Sequence, residues 1–152
     1  MPPRRQASVY QKSGELLVGS YARTTDGVSI AQPPVVRLSC DAPSHEVGAA
    51  VRRILEAFRD NVPHPESWAG VGKDFLKAAG LRSWRSLHTH SSLCEVEEAP
   101  DGSYVLQATR NGGTQGASKG FVGLEATTIG LDAGVSDAEL GDAVLATLAR
   151  CE

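Results

Sequence analysis

Leu93-Cys94-Glu95-Val96-Glu97-Glu98, then Pro100-Asp101-Gly102, then Tyr104-Val105-Leu106-Gln107-Ala108-Thr109, is the stretch on which the fold turns. Successive residues of a strand point to opposite faces, so Cys94 and Val96 share one face and Glu95 and Glu97 the other. The proline, aspartate and glycine between the two runs make a turn, and the second run returns beside the first. An antiparallel hairpin with one apolar face needs a covering layer.

Toward the N-terminus, Ser8-Val9-Tyr10-Gln11-Lys12 and Glu15-Leu16-Leu17-Val18-Gly19-Ser20-Tyr21 flank Ser13-Gly14 and predict a second hairpin. Ala22 to Pro34 is polar and rich in glycine and proline and reads as mostly loop. Val35-Val36-Arg37-Leu38 is a short strand leading into a helix, whose apolar stripe is Val47, Val51, Ile54, Leu55 and Phe58. Asp41 and Ser44 both stand where a cap belongs, with Pro43 near the first turn, and Pro63 and Pro65 close the segment. A second helix is expected from about Ser67 to Ala79, burying Trp68, Val71 and Phe75. Gly80 would end it as a left-handed cap, with Leu81 packing back.

Toward the C-terminus, Arg110 to Gly120 has the composition of a mobile loop, and Phe121 to Leu131 reads as one or two strands. The last helix opens with Ser136-Asp137-Ala138-Glu139, a capping box, and carries the stripe Leu140, Val144, Leu148 and Cys151. The expected architecture is an α+β fold, a largely antiparallel sheet covered by about three helices, with residues 1–152 forming a single domain.

One strand-to-helix unit occurs twice. Val35-Val36-Arg37-Leu38 precedes Glu46-Val47-Gly48-Ala49-Ala50-Val51, and Thr128-Ile129-Gly130-Leu131 precedes Glu139-Leu140-Gly141-Asp142-Ala143-Val144. The helical parts are 93 residues apart, and each has a glycine directly after its first stripe residue. A glycine inside a helix costs about 1 kcal/mol relative to alanine. Close approach of another backbone at Gly48 and Gly141 would compensate.

Charge is unevenly spread. The formal net charge is −3, but residues 1–90 carry 12 Lys/Arg against 8 Asp/Glu, and residues 91–152 carry 3 against 10. The acidic half repels phosphate and attracts a basic partner, or simply keeps a solvated surface. No apolar run approaches the ~18 residues of a membrane span. Met1-Pro2-Pro3-Arg4-Arg5-Gln6 has no apolar stretch behind it and does not read as a secretory signal. Cys40, Cys94 and Cys151 are odd in number, form no CxxC pair, and read as buried thiols in a reducing cytoplasm.

Catalytic and metal signatures are weak. Gly116-Ala117-Ser118-Lys119-Gly120 matches GxSxG, but a β-like run follows it and all four histidines precede Ser118, against the order a hydrolase triad needs. The same loop lacks P-loop spacing. His88-Thr89-His90 with Cys94 would place two ligands on one strand face, without an identifiable fourth, so no metal and no cofactor is expected. Lys73, Lys77, Arg82, Trp84 and Arg85 form a modest basic and aromatic patch that would suit RNA, without an RNA-binding motif; an ordinary helix face beside a core tryptophan is the plainer reading.

The acidic edge is more specific. Glu95, Glu97, Glu98 and Asp101 lie on the hairpin, and carboxylates at alternate strand positions are about 7 Å apart, close to the phosphate spacing along a nucleic-acid strand. Such an edge would engage the basic cleft of a nuclease and speed encounter. The same charges would also discourage strand-to-strand aggregation.

The opening Ser8-Val9-Tyr10 strand, the proline-proline-strand-helix unit, Lys77-Ala78-Ala79-Gly80-Leu81-Arg82-Ser83-Trp84, the Phe121-to-Leu131 strands and the Glu139-to-Cys151 ending together resemble the immunity proteins of bacterial contact-dependent growth inhibition systems. The resemblance implies a small cytoplasmic protein without catalytic activity. It would bind the C-terminal toxin domain delivered by a neighbouring cell, one to one, and neutralise it. The resemblance also implies that the toxin is often a nuclease. It transfers no interface residue, so the assignment of Glu95, Glu97, Glu98 and Asp101 as toxin-binding rests on charge alone. The alternative is a small RNA-binding protein using the 73–85 patch.

Overall fold

A computed structural model describes residues 4–117 and 119–152. The chain runs β1 (Arg5–Lys12), β2 (Glu15–Thr24), β3 (Ser29–Ser39), α1 (Ser44–Glu56), β4 (Arg59–Val62), α2 (Lys73–Ala78), α3 (Trp84–His88), β5 (Ser92–Glu98), β6 (Tyr104–Asn111), β7 (Phe121–Gly123), β8 (Ile129–Leu131) and α4 (Asp137–Leu148). The strands form one sheet in the order β3-β2-β1-β5-β6-β7, antiparallel along that path, with β8 antiparallel to the start of β6 and β4 parallel to the end of β2. Both expected hairpins form. Ser13 and Gly14 take φ of 50° and 79°, the left-handed pair that a two-residue turn between β1 and β2 requires.

Period-two alternation divides the sheet between two apolar layers. On one face α1 and α4 bury Val47, Val51, Ile54, Leu55, Leu140, Val144 and Leu148 against Val9, Leu16, Val18, Cys94, Val96 and Leu106. Each fully buried aliphatic side chain there contributes about 1.5–3 kcal/mol. On the other face the short α2 and α3 set Phe75, Leu76, Ala79 and Leu87 on Tyr10, Leu17 and Leu93. The consecutive apolar run Leu16-Leu17-Val18 follows directly, since β2 is covered on both sides here.

The repeated unit closes on itself. A Cβ built on Gly48 would fall 2.6 Å from the carbonyl carbon of Asp137, and one on Gly141 would fall 2.6 Å from that of Ser44. Asp137 follows Ser44 by the same 93 residues that separate the glycines, so the two helices pack by a reciprocal, near-twofold contact. The Ser44 hydroxyl donates to Asp142 across this seam. Arg52 lies 2.6 Å from the Asp137 carboxylate, and its Nη1 donates to the Tyr104 hydroxyl at 3.0 Å. The capping box is present: Ser136 Oγ accepts from Glu139 N, and Glu139 Oε1 from Ser136 N. At α1 neither Asp41 nor Ser44 caps; Pro43 holds the N-cap position and Ser44 is the first helical residue.

Four sequence expectations need correction. Ala22 to Pro34 is not mostly loop: β2 continues to Thr24 and β3 starts at Ser29, leaving a four-residue turn. Prolines are tolerated in β3 because it is an edge strand, with one side unpaired. The second helix is shorter than expected, because Gly70 and Gly72 adopt φ of 77° and 85° and delay its start to Lys73. Trp68 is therefore outside it and 55% exposed, whereas Phe75 is buried and Gly80 and Leu81 close the helix as expected. A separate helix, α3, begins where Ser83 Oγ accepts from Ser86 N at 3.0 Å, bringing the α-helices among the described residues to four. Finally, only Cys94 is fully buried; Cys40 and Cys151 are partly exposed.

Among the described residues no helix is long and apolar enough to cross a membrane.

Candidate functional site

The helices cover only part of the second face. Beyond Leu93, the same side of β5 carries Glu95 and Glu97, and among the described residues no helical residue lines the cleft around them. Register sets what surrounds them. Ser8 and Gln107 stand directly across from Glu95, and Gln6 and Val105 across from Glu97, so two cross-strand rows share that face. Tyr21 and Ser29 close one side, and the result is a cleft of about 320 Å³ with a mixed polar and apolar lining.

Its electrostatics are defined by Glu95. Crowding by the sheet, and then the neighbouring charge of Glu97, hold the Glu95 carboxyl above the ordinary glutamate range. Glu97 has a cation, Arg4, at 3.4 Å; Glu95 has no ion-pair partner among the described residues. Tyr21, which lines the cleft, shares a hydrogen bond with the buried Ser8 hydroxyl, and burial raises the pKa of both Tyr10 and Tyr21. Carboxylates facing hydroxyls and amides in an open cleft can hold a cationic or hydrogen-bonding group; no nucleophile with an adjacent base accompanies them in the cleft lining.

The other two acidic residues lie elsewhere. Glu98 faces the α1–α4 layer, directly across from Arg5, with which it forms a 2.6 Å ion pair at 13% side-chain exposure. Asp101 caps the β5–β6 turn: its carboxylate accepts from Ser103 N at 2.9 Å and Ser103 Oγ at 2.6 Å, and these bonds hold its pKa below the usual range. The four-residue acidic edge therefore divides into a facing pair, a structural ion pair and a turn.

The basic and aromatic set is likewise divided. Trp84 stacks on Phe75 with centroids 5.7 Å apart and planes 14° apart, leaving it 37% exposed instead of in the core. With Arg85 and His88 it faces the β6–β7 loop across a cleft of about 460 Å³. That loop prolongs the ladder, with Gly112 N donating to Gly120 O and Gly120 N to Gly113 O. Asn111 Nδ2 braces its base by donating to the carbonyls of His88 and Ser91. Lys73, Lys77 and Arg82 do not line this cleft.

His88 and His90 do not share a strand face: His88 ends α3 with its ring edge-on to Phe121, and His90 has φ of 54°. Among the described residues no group of three His, Cys, Asp or Glu side chains is placed to hold a metal. Ser118 lies outside the described residues. Tyr21, Gln107 and Trp68 are among the site residues that sequence reading missed, the last through the wrong helix start.

The family model described as CdiI, CDI immunity protein, matches residues 56–151. No curated protein matches the chain. Among solved structures, a protein of unknown function from Neisseria meningitidis is similar at a TM-score of 0.79 and 14% identity, over 99% of this chain and 96% of that one. A chain of the CdiA-CT/CdiI toxin and immunity complex from Yersinia pseudotuberculosis is similar at a TM-score of 0.76 and 15% identity, over 99% of both. At these identities the two structures establish the shared fold.

Proposed function

The chain belongs to the CDI immunity protein family, and from that membership we propose that it binds one cognate toxin C-terminal domain in the bacterial cytoplasm and neutralises it without making or breaking bonds. The pairing of toxin and immunity protein in the similar Yersinia complex supports the partner. The observation that carries the reading on this chain is the uncovered part of the sheet, where Glu95 and Glu97 face outward and Glu95 has no ion-pair partner among the described residues. A negative, partly desolvated cleft suits the positively charged substrate surface of a nuclease, and occluding that surface would stop the reaction. Glu95 and Glu97 supply the attraction. Asp101, exposed at the hairpin turn, extends the negative edge, and Glu98 holds Arg5 on the opposite face.

Co-expression with the C-terminal domain encoded immediately upstream of its gene tests the class. Growth rescue and a one-to-one complex on a sizing column are expected; continued killing contradicts the reading. Charge reversal of Glu95 and Glu97 should slow association at least about tenfold, and salt should slow the wild-type protein similarly. A mixed RNA pool should not be retarded in a gel. A shift there would favour RNA binding at the Trp84–Arg85 cleft.

A further inference from the structure

Three clefts lie in a row beside the α2–α3 layer, each sharing lining residues with the next. The Glu95–Glu97 cleft shares Tyr21 and Ser29 with a neighbour of about 420 Å³, which Trp68 and Trp84 wall. That neighbour shares Trp84 and His88 with the cleft of about 460 Å³ under Arg85 and Lys119. Taken as one furrow, the row carries Glu95 and the Arg4-paired Glu97 at one end, aromatic side chains in the middle and Arg85 with Lys119 at the other. No carboxylate lines the basic cleft, and neither Arg85 nor Lys119 has an ion-pair partner among the described residues. Two indoles 55% and 37% exposed between opposite charges form a surface of the kind that interfaces use as anchors.

We propose that this furrow receives one segment of the toxin domain in a single orientation, with a cationic side chain at the Glu95–Glu97 end, an apolar or aromatic centre over the indoles, and a carboxylate at the Arg85–Lys119 end. This deepens the toxin-binding reading and rests on it. The order of charges, more than the net charge, then selects the cognate partner, because a segment of reversed polarity meets like charge at both ends.

The test uses the full chain and the upstream-encoded toxin domain, with affinity measured for wild type, E95K/E97K, R85E/K119E and the quadruple variant. All four positions are solvent-exposed or partly so, and circular dichroism checks folding. R85Q/K119Q replaces the reversal if that variant fails to fold, with at least about threefold loss expected. Each double reversal should weaken binding at least about tenfold, and the quadruple variant, whose net charge equals that of wild type, should be weaker than either. Binding by R85E/K119E (or, in its place, R85Q/K119Q) within twofold of wild type overturns the charge order, as does recovery of wild-type affinity by the quadruple variant. Retardation of RNA that disappears in R85E/K119E reassigns the basic end to nucleic acid and also overturns it. A wild-type chain that binds no toxin removes the parent reading instead, so the two failures are distinguishable.

Discussion

Alanine at Gly48 or Gly141 tests the seam between α1 and α4. In an isolated helix either substitution stabilises by about 1 kcal/mol, because alanine loses less backbone entropy. Here each new methyl would lie 2.6 Å from a backbone carbonyl carbon of the other helix, roughly 0.8 Å inside ordinary contact, and closer still to the oxygen. A carbonyl within a helix start cannot rotate aside as a flexible side chain can. The helices must separate, loosening a layer in which Val47, Val51, Leu140 and Val144 are wholly buried. Overpacking of this kind costs about 1–3 kcal/mol. With a backbone obstacle the cost falls at the upper end, leaving a net loss of about 2 kcal/mol after the propensity gain. Urea unfolding followed by circular dichroism should then show a midpoint lowered by about 1 M at an ordinary slope. The double variant should lose less than the sum of the singles, because the first methyl has already opened the seam. A single variant with a raised midpoint, or a double variant with additive losses, would refute the reciprocal contact.

Glu95→Gln should stabilise the free protein at pH 7 while weakening toxin binding. The native state raises the Glu95 pKa, so it holds the proton more tightly than the unfolded chain does, and ionising Glu95 costs stability as pH rises through the carboxylate range. Urea midpoints of the two proteins should therefore converge below about pH 4 and diverge above it, and equal midpoints at both pH values would contradict the crowding of Glu95 by the sheet and Glu97. Phe75→Ala should cost about 3–5 kcal/mol, since the ring is 1% exposed, fills the space beside Gly19 and supports Trp84 from below. A loss under about 1 kcal/mol in the same urea assay would show that the α2–α3 layer is not packed on that ring.

What was legible in the sequence was local. The capping box, the Gly80 stop, the Ser13-Gly14 turn and the β5–β6 hairpin each depend on a few adjacent residues, and all form. The glycines of the repeated unit were readable for a different reason: a residue that costs helix stability, twice at the same place, implies a neighbour. What escaped depended on tertiary placement. Prolines mark a loop unless the strand lies at an edge, and nothing near Pro33 or Pro34 says that β3 does. Trp68 has the apolar character of a core residue, and only the left-handed Gly70 and Gly72 keep it out of a helix. At the site, alternation correctly paired Glu95 with Glu97, and the same rule separates Glu98, whose partner Arg5 lies 93 residues away in sequence. Tyr21 and Gln107 reach the cleft through their places in the sheet, which no local pattern carries.

Hydroxyl-radical footprinting of Trp68 and Trp84, the chain's two tryptophans, probes the open face with the fewest assumptions. Both indoles are exposed in the free protein and flank the aromatic stretch of the furrow. When the protein is mixed with its cognate toxin domain, oxidation at both should fall several-fold, read by mass spectrometry of the two peptides. A complex that forms while Trp68 and Trp84 oxidise at their free rates would place the toxin on another surface and contradict the assignment of this face.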